Sequence, residues 1–269
     1  MNNLRFKKLK RAFLFIILFT FSQIGYSQLS DLHILPPLKQ DANNQAIQQQ
    51  TIYLSTPETA SFNVKIYRGT NTTALATLSL SKATPKTYNP GNGDNNITLV
   101  TNANTGIKLS NSGLRFESEN GEKFYVNYRG RSSSQAASIT SKGRAALGKK
   151  FKWGGAPIEA NHKTMSATLG IMATEDNTSV TISGYNTECI FRYTGTVAGI
   201  TDNTINITLN KGQSYVLEAA KDATTANVDG WIGASITSDK DIAISNGMLN
   251  FGVNPGSASR DAGADQPVP

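Results

Sequence analysis

The sequence predicts an all-β protein, and three observations carry that expectation. Period-two runs recur, turn-forming residues bound them, and long helical patterns are absent. The runs are "TIYLS", "SFNVKIY", "ALATLSLS", "NNITLV", "GLRFES", "KFYVNY", "TSVTIS", "INITLN", "SYVLEA", "ASITS" and "DIAIS". Each is short, β-branched or aromatic, and bounded by Gly, Asn, Asp or Pro. Strands of that length separated by turns predict two related β-units packed as sandwiches, with a propeller-like array of small sheets as the alternative.

The chain opens on Arg5, Lys7, Lys8, Lys10 and Arg11, then an apolar run from Ala12 to Phe21, then Gly25 and Ser27. That order is a secretory leader cleaved after Ser27. The apolar run is about half the length of a membrane span. Residues 1–27 carry those five bases and no acid, so their removal takes the formal charge from +7 to +2. The sequence pI of about 9.4 therefore belongs largely to the leader, and the case for nucleic-acid binding falls with it. One cysteine, Cys189, rules out an internal disulfide, and its place in "ECIFRY" predicts a small buried hydrophobe.

An internal echo organises the rest. "YLSTPETASFNVKIY" (53–67) reads like "IMATEDNTSVTISGY" (171–185), an offset of 118 residues. "GLRFESENGEKFYVN" (113–127) reads like "GASITSDKDIAIS" (233–245), an offset of 120. Both members of the second pair read as strand, Ser-acidic turn, strand. Two matches at nearly one offset predict a duplicated unit, with units at 28–165 and 166–269. The bland alternative is that polar-turned β segments resemble one another.

Between the echoes lies Gly143-Arg144-Ala145-Ala146-Leu147-Gly148-Lys149-Lys150, seven of the eight positions of a phosphate-binding loop. Lys150 stands where the Mg²⁺-holding hydroxyl belongs. The flanks, "QAASITSK" and "KFKWGGAP", do not read as a buried strand and a long helix. A turn between strands, with at most a helical turn at Ala145–Leu147, is expected, and no nucleotide partner.

The positive charge is concentrated. From Arg115 to Lys163 there are ten bases against four acids, a local +6, with Tyr125, Tyr128, Phe151 and Trp153 interleaved. Arg144, Lys149, Lys150, Lys152 and Trp153 are the candidate ligand-binding residues, for an anionic glycan or envelope surface. The competing reading is strand-edge lysines that deter edge pairing. Acidic turns give weak calcium candidates at Asp176, Asp239 and Asp241, and "SRDAGAD" (259–265) reads as a further acidic turn. His33 and His162 stand 129 residues apart, without a G-x-S-x-G. Glu159, Glu175, Asp176 and Asp229 show no spacing that selects a hydrolytic pair. No catalytic residue, metal or cofactor is expected.

"SKGRAALGKKF", "MATEDNTSVTI", "ITSDKDIAIS" and "SRDAGADQPVP" together resemble the N-terminal domain of the IgGFc-binding-protein family, in its bacterial branch of Bacteroidetes cell-surface proteins. Such proteins often end in a gliding-motility-associated or type IX secretion sorting domain. The resemblance covers roughly Leu32 to Pro269. It departs at Asp241, where the family usually has proline, and at Pro267, where it has an apolar residue. It implies a chain that continues past this point, and a non-enzymatic, exported recognition or adhesion module. A secreted carbohydrate-active hydrolase or its binding module is the alternative from another class.

Overall fold

The structure is a computed structural model that describes residues 28–39, 47–133, 135–160, 165–257, 259 and 261–269. The expected leader and His162 lie outside the described residues. The strands, in chain order, are β1 (Leu32–Leu35), β2 (Leu38–Lys39), β3 (Gln49–Ser55), β4 (Phe62–Arg68), β5 (Ala76–Leu80), β6 (Lys86–Tyr88), β7 (Leu99–Val100), β8 (Lys108–Leu109), β9 (Leu114–Ser118) and β10 (Tyr125–Arg131). They continue as β11 (Ala136–Thr140), β12 (Gly148–Lys152), β13 (Ser166–Ala173), β14 (Thr178–Ser183), β15 (Phe191–Tyr193), β16 (Thr196–Ile200), β17 (Ile205–Leu209), β18 (Ser214–Ala220), β19 (Ser235–Phe251) and β20 (Asp261–Asp265). The all-β expectation holds, and the architecture is sandwich-like.

Two four-stranded sheets, β1-β9-β4-β5 and β11-β10-β3-β6, face each other. Strict alternation builds the contact. Val64 and Ile66 from one sheet meet Ile52, Leu54 and Val126 from the other in one buried cluster. The second group of strands forms one sheet, because the seventeen-residue β19 runs through both of its layers. Its first half pairs with β12 and β14, and its second half with β13 and β20. Their inner faces enclose a second core that holds Leu169, Ile171, Val180, Ile182, Phe191 and Trp231.

The pairing repeats between the two groups. Val64↔Ser118 and Ile66↔Phe116 in the first become Val180↔Ser238 and Ile182↔Ile236 in the second. Leu54↔Val126 becomes Met172↔Ala243, and His33↔Phe116 becomes Phe151↔Ile236. Corresponding positions are shifted by 116 to 120 residues, in line with the echo in the sequence. Two details correct the sequence reading. Ser238–Asp241 is no turn but the middle of the continuous β19. Asp261–Asp265 is strand β20 rather than an acidic turn.

Every residue of β13 is buried, although its side chains alternate between two faces. Leu169 and Ile171 enter the second core, and Met172 on the opposite face packs with Ile34 of β1. Gly170 lies against the backbone of the Pro36-Pro37 segment: a Cβ there would stand 1.9 Å from the Pro37 carbonyl oxygen. The two groups are thus joined through a backbone contact that only glycine permits.

Candidate functional site

Strand phase decides which side chains reach solvent. In β3, Gln50, Ile52 and Leu54 point inward, and Gln49, Thr51 and Tyr53 outward. In β10, Val126, Tyr128 and Gly130 point inward, and Arg129 and Arg131 outward. Antiparallel register places Arg129 opposite Thr51 and Arg131 opposite Gln49. The outer face of this sheet, walled on one side by Ala262–Ala264 of β20, forms a cleft of about 740 Å³.

The cleft's two arginines are held without being neutralised. Arg129 Nε donates to Asn127 Oδ1 at 2.9 Å, and Arg131 Nε donates to Gln49 Oε1 at 2.8 Å. Both partners are neutral, so each guanidinium is oriented while its charge stays available. Arg129 also lies over the Tyr53 ring, 5.5 Å from its centre. Among the described residues neither arginine has an ion-pair partner, and no carboxylate lines the cleft. Other bases differ: Arg115 pairs with Glu117, Lys65 with Glu119, Lys142 with Asp265, and Arg192 with Glu218. Residues i and i+2 of a strand stand roughly 7 Å apart, which sets the spacing of the two charges.

The residues singled out from sequence fall into three groups. Lys149, Lys150 and Lys152 are exposed on β12, with Lys152 Nζ donating to Ser235 Oγ at 2.6 Å. Arg144 is committed to Asp31, through Nε at 2.7 Å and Nη2 at 2.8 Å. That guanidinium holds the Asp31 carboxyl below its ordinary pKa. Trp153 is a correction. It is 1% exposed, its ring stacks on Trp231 with centres 4.0 Å apart, and Nε1 donates to the Thr168 carbonyl. A residue so placed is core and presents nothing to a ligand. Tyr128 and Phe151 are buried as well.

The ring beside the arginines is instead Tyr53, 46% exposed. Sequence reasoning missed it because it lies 76 residues before Arg129. The signal was present in "TIYLS", where the alternation that buries Ile52 and Leu54 turns Tyr53 outward.

The Gly143–Lys150 run leads from β11 through a four-residue 3₁₀ helix, Gly143–Ala146, straight into β12. The preceding strand is present after all, but the following element is a strand, so no α-helix N-terminus faces the loop. Gly143 adopts φ +60° with its Cα against Ser30, where a Cβ would stand 2.3 Å from the serine Cβ.

The acidic candidates serve local structure. Asp176 Oδ1 accepts from Lys211 N at 3.0 Å, and Asp239 Oδ1 from Ser179 N at 2.8 Å. Asp241 offers its carbonyl to Thr174 Oγ1. The Lys240 ammonium donates to the carbonyls of Asp176 and Asn177, so a cationic group already sits at that turn. Among the described residues no group of three or more His, Cys, Asp or Glu is placed to hold a metal ion. Cys189 is buried as expected, and burial pushes its thiol up to about 11. His33 is buried with Nε2 2.8 Å from the Phe124 carbonyl, so that nitrogen is engaged by a backbone oxygen rather than by a serine hydroxyl.

Among the described residues no helix is long and apolar enough to cross a membrane. No curated protein and no solved structure matches the chain. Residues 136–269, from β11 through the whole second group of strands, match the model of the family described as IgGFc binding protein, and that match supports the family for the half of the chain it covers.

Proposed function

We propose that the chain is an exported, cell-surface recognition or adhesion module without catalytic activity, and that it holds an anionic ligand in the Tyr53–Arg129–Arg131 cleft. The observation that carries this reading is the pair of amide-oriented guanidinium groups, without an ion-pair partner among the described residues, in a cleft whose described lining has no carboxylate; Asp261 at its border accepts from Ala136 N at 3.4 Å. The family match supports a binding module in general. The charge, apolar and small-residue order of residues 5–27 supports export. The quoted motifs support the further placement among gliding-associated Bacteroidetes envelope proteins. We divide the chain between Thr140 and Gly148, ahead of the boundary at 165, because β12 pairs with β19.

The test is attachment of the purified chain to immobilised acidic polysaccharide, uronate-bearing and sulfated, across a salt series. At physiological ionic strength the Debye length is about 8 Å, so attachment should weaken as salt rises. Replacing Arg129 and Arg131 together with Ser should lower it tenfold or more with little change in thermal midpoint, since exposed charges contribute little to stability. Replacing Arg144, Lys149, Lys150 and Lys152 with Ser is the comparison; a larger loss there moves the site to β12. Attachment indifferent to salt and to both sets of changes sinks the anionic reading.

A further inference from the structure

The two sandwiches differ most between β14 and β17. The first group joins the corresponding β4 and β5 with seven residues, 69–75, whereas the second spends residues 184–204 and builds the extra β15–β16 hairpin. The hairpin is firmly held. Arg192 is buried against Glu218 and donates through Nη1 to the Gly195 carbonyl at 3.0 Å. Thr194 N donates to the Thr105 carbonyl at 3.0 Å, which ties the hairpin to the 102–108 segment. Its neighbour Tyr193 is left 46% exposed. Of the described aromatic rings, Tyr53 and Tyr193 are the two most open to solvent, and each borders a cleft.

The Tyr193 cleft has a volume of about 780 Å³ and runs along β17, the outermost strand of its sheet. Its chemistry differs from that of the arginine cleft. Ile107 and Ile207 are half-buried and give an apolar floor beside the ring. Charge is balanced, with Lys108 and Asp202 each contributing one. The Asp202 carboxylate has no hydrogen-bond or ion-pair partner among the described residues, while its carbonyl accepts from Tyr185 OH at 2.6 Å and fixes the loop. Asn206 Oδ1 accepts from Thr181 Oγ1 at 2.8 Å, which leaves its amide N–H groups to donate outward.

We propose that this cleft is a second binding site, for a neutral saccharide. An exposed ring takes the apolar C–H face of a sugar, a free carboxylate accepts from hydroxyl pairs, and an amide donates to hydroxyl oxygens. With no net charge in the cleft, an ionic ligand gains nothing there. A hairpin inserted into one copy of a repeated scaffold, and locked by a buried ion pair, holds the ring in place before binding.

The probes are neutral hexasaccharides of β-1,4-glucan, β-1,3-glucan, β-1,4-mannan, β-1,4-xylan and α-1,4-glucan, titrated calorimetrically into the whole chain. At least one should bind, with an affinity unchanged between low and high salt. Tyr193→Ala should weaken that affinity about tenfold, the upper end of a stacking contribution. Asp202→Asn should weaken it as well, with an unchanged thermal midpoint showing that both variants fold. The double change of Arg129 and Arg131 to Ser should leave it untouched, which separates this site from the anionic one. Absence of binding by every probe at millimolar concentration overturns the proposal. So does an affinity that survives Tyr193→Ala, or one captured instead by an extended peptide along β17.

Discussion

His33 shows how one buried side chain couples the fold to pH. Its ring sits in the edge strand β1, Nε2 contacts the Phe124 carbonyl, and Nδ1 has no partner. Burial lowers its pKa from 6.5 to about 4, despite Asp31 nearby, which acts in the opposite direction. The folded state therefore stays unprotonated where the unfolded chain takes up a proton. Stability is fully present above pH 6.5 and is lost as pH falls from 6.5 towards 4, by on the order of 3 kcal/mol in all. The corresponding position in the second group is Phe151, which makes His33→Phe the natural replacement. The Phe124 carbonyl keeps its bond from Ser30 N. Urea midpoints measured from pH 7.5 to 4.5 should fall for the native chain and stay nearly level for His33→Phe over that window. Equal slopes for the two would refute this account. At the same scale, Cys189 was legible because alternation in "ECIFRY" fixed its face. Trp153 was not, because "KFKWGG" ends the alternating run and does not say that the ring turns back onto Trp231.

Elements that alternate cleanly were legible, and those buried on both faces were not. β3, β4, β10 and β14 read as period-two runs because one face meets a core and the other meets solvent. β13, "SATLGIMA", gave no such signal: both of its faces are covered, and Thr168 and Gly170 stand where a polar outer face would otherwise read as loop. In β19 the polar "SDKD" reads as a turn between two strands, yet the strand passes from one layer to the other without reversing. Its polar middle marks where pairing changes from β14 to β13. The close approach of Gly170 to Pro37 gives the prediction for this scale. Gly170→Ala places a methyl 1.9 Å from a backbone oxygen that no rotamer change can move. The expected loss is about 3 kcal/mol, at the upper end of overpacking effects, read as a lowered denaturant midpoint with little change in slope. A variant as stable as the native chain would show that the two backbones separate at no cost.

On the scale of the whole molecule, sheet register explains why the proposed cleft was not legible in the sequence: none of Arg144, Lys149, Lys150, Lys152 and Trp153 lines it. The basic run 115–163 pointed to β10, but the cleft is completed by Tyr53 from β3 and by β20, some 130 residues further on. Such partners meet only through sheet register. The same long-range closure should make the two sandwiches unfold together. β20 pairs with β19, yet Ala262 and Ala264 pack on the first core. Gln266 follows, fully buried. Its Oε1 accepts from Ser141 Oγ at 2.9 Å and Lys142 N at 2.7 Å, and its Nε2 donates to the Ile34 carbonyl at 2.6 Å. Both tryptophans lie in the second core, so fluorescence reports that half while far-UV circular dichroism reports every sheet. The two signals should give one coincident denaturant transition. Gln266→Ala leaves three groups, the buried Ser141 hydroxyl and Ile34 carbonyl and the half-buried Lys142 N–H, without this partner and should cost about 2 kcal/mol. Because the lost bonds lie in the first half, a fluorescence midpoint that falls together with the dichroism midpoint demonstrates the coupling. A fluorescence midpoint that stays fixed while the dichroism curve becomes biphasic would show two units that fold independently.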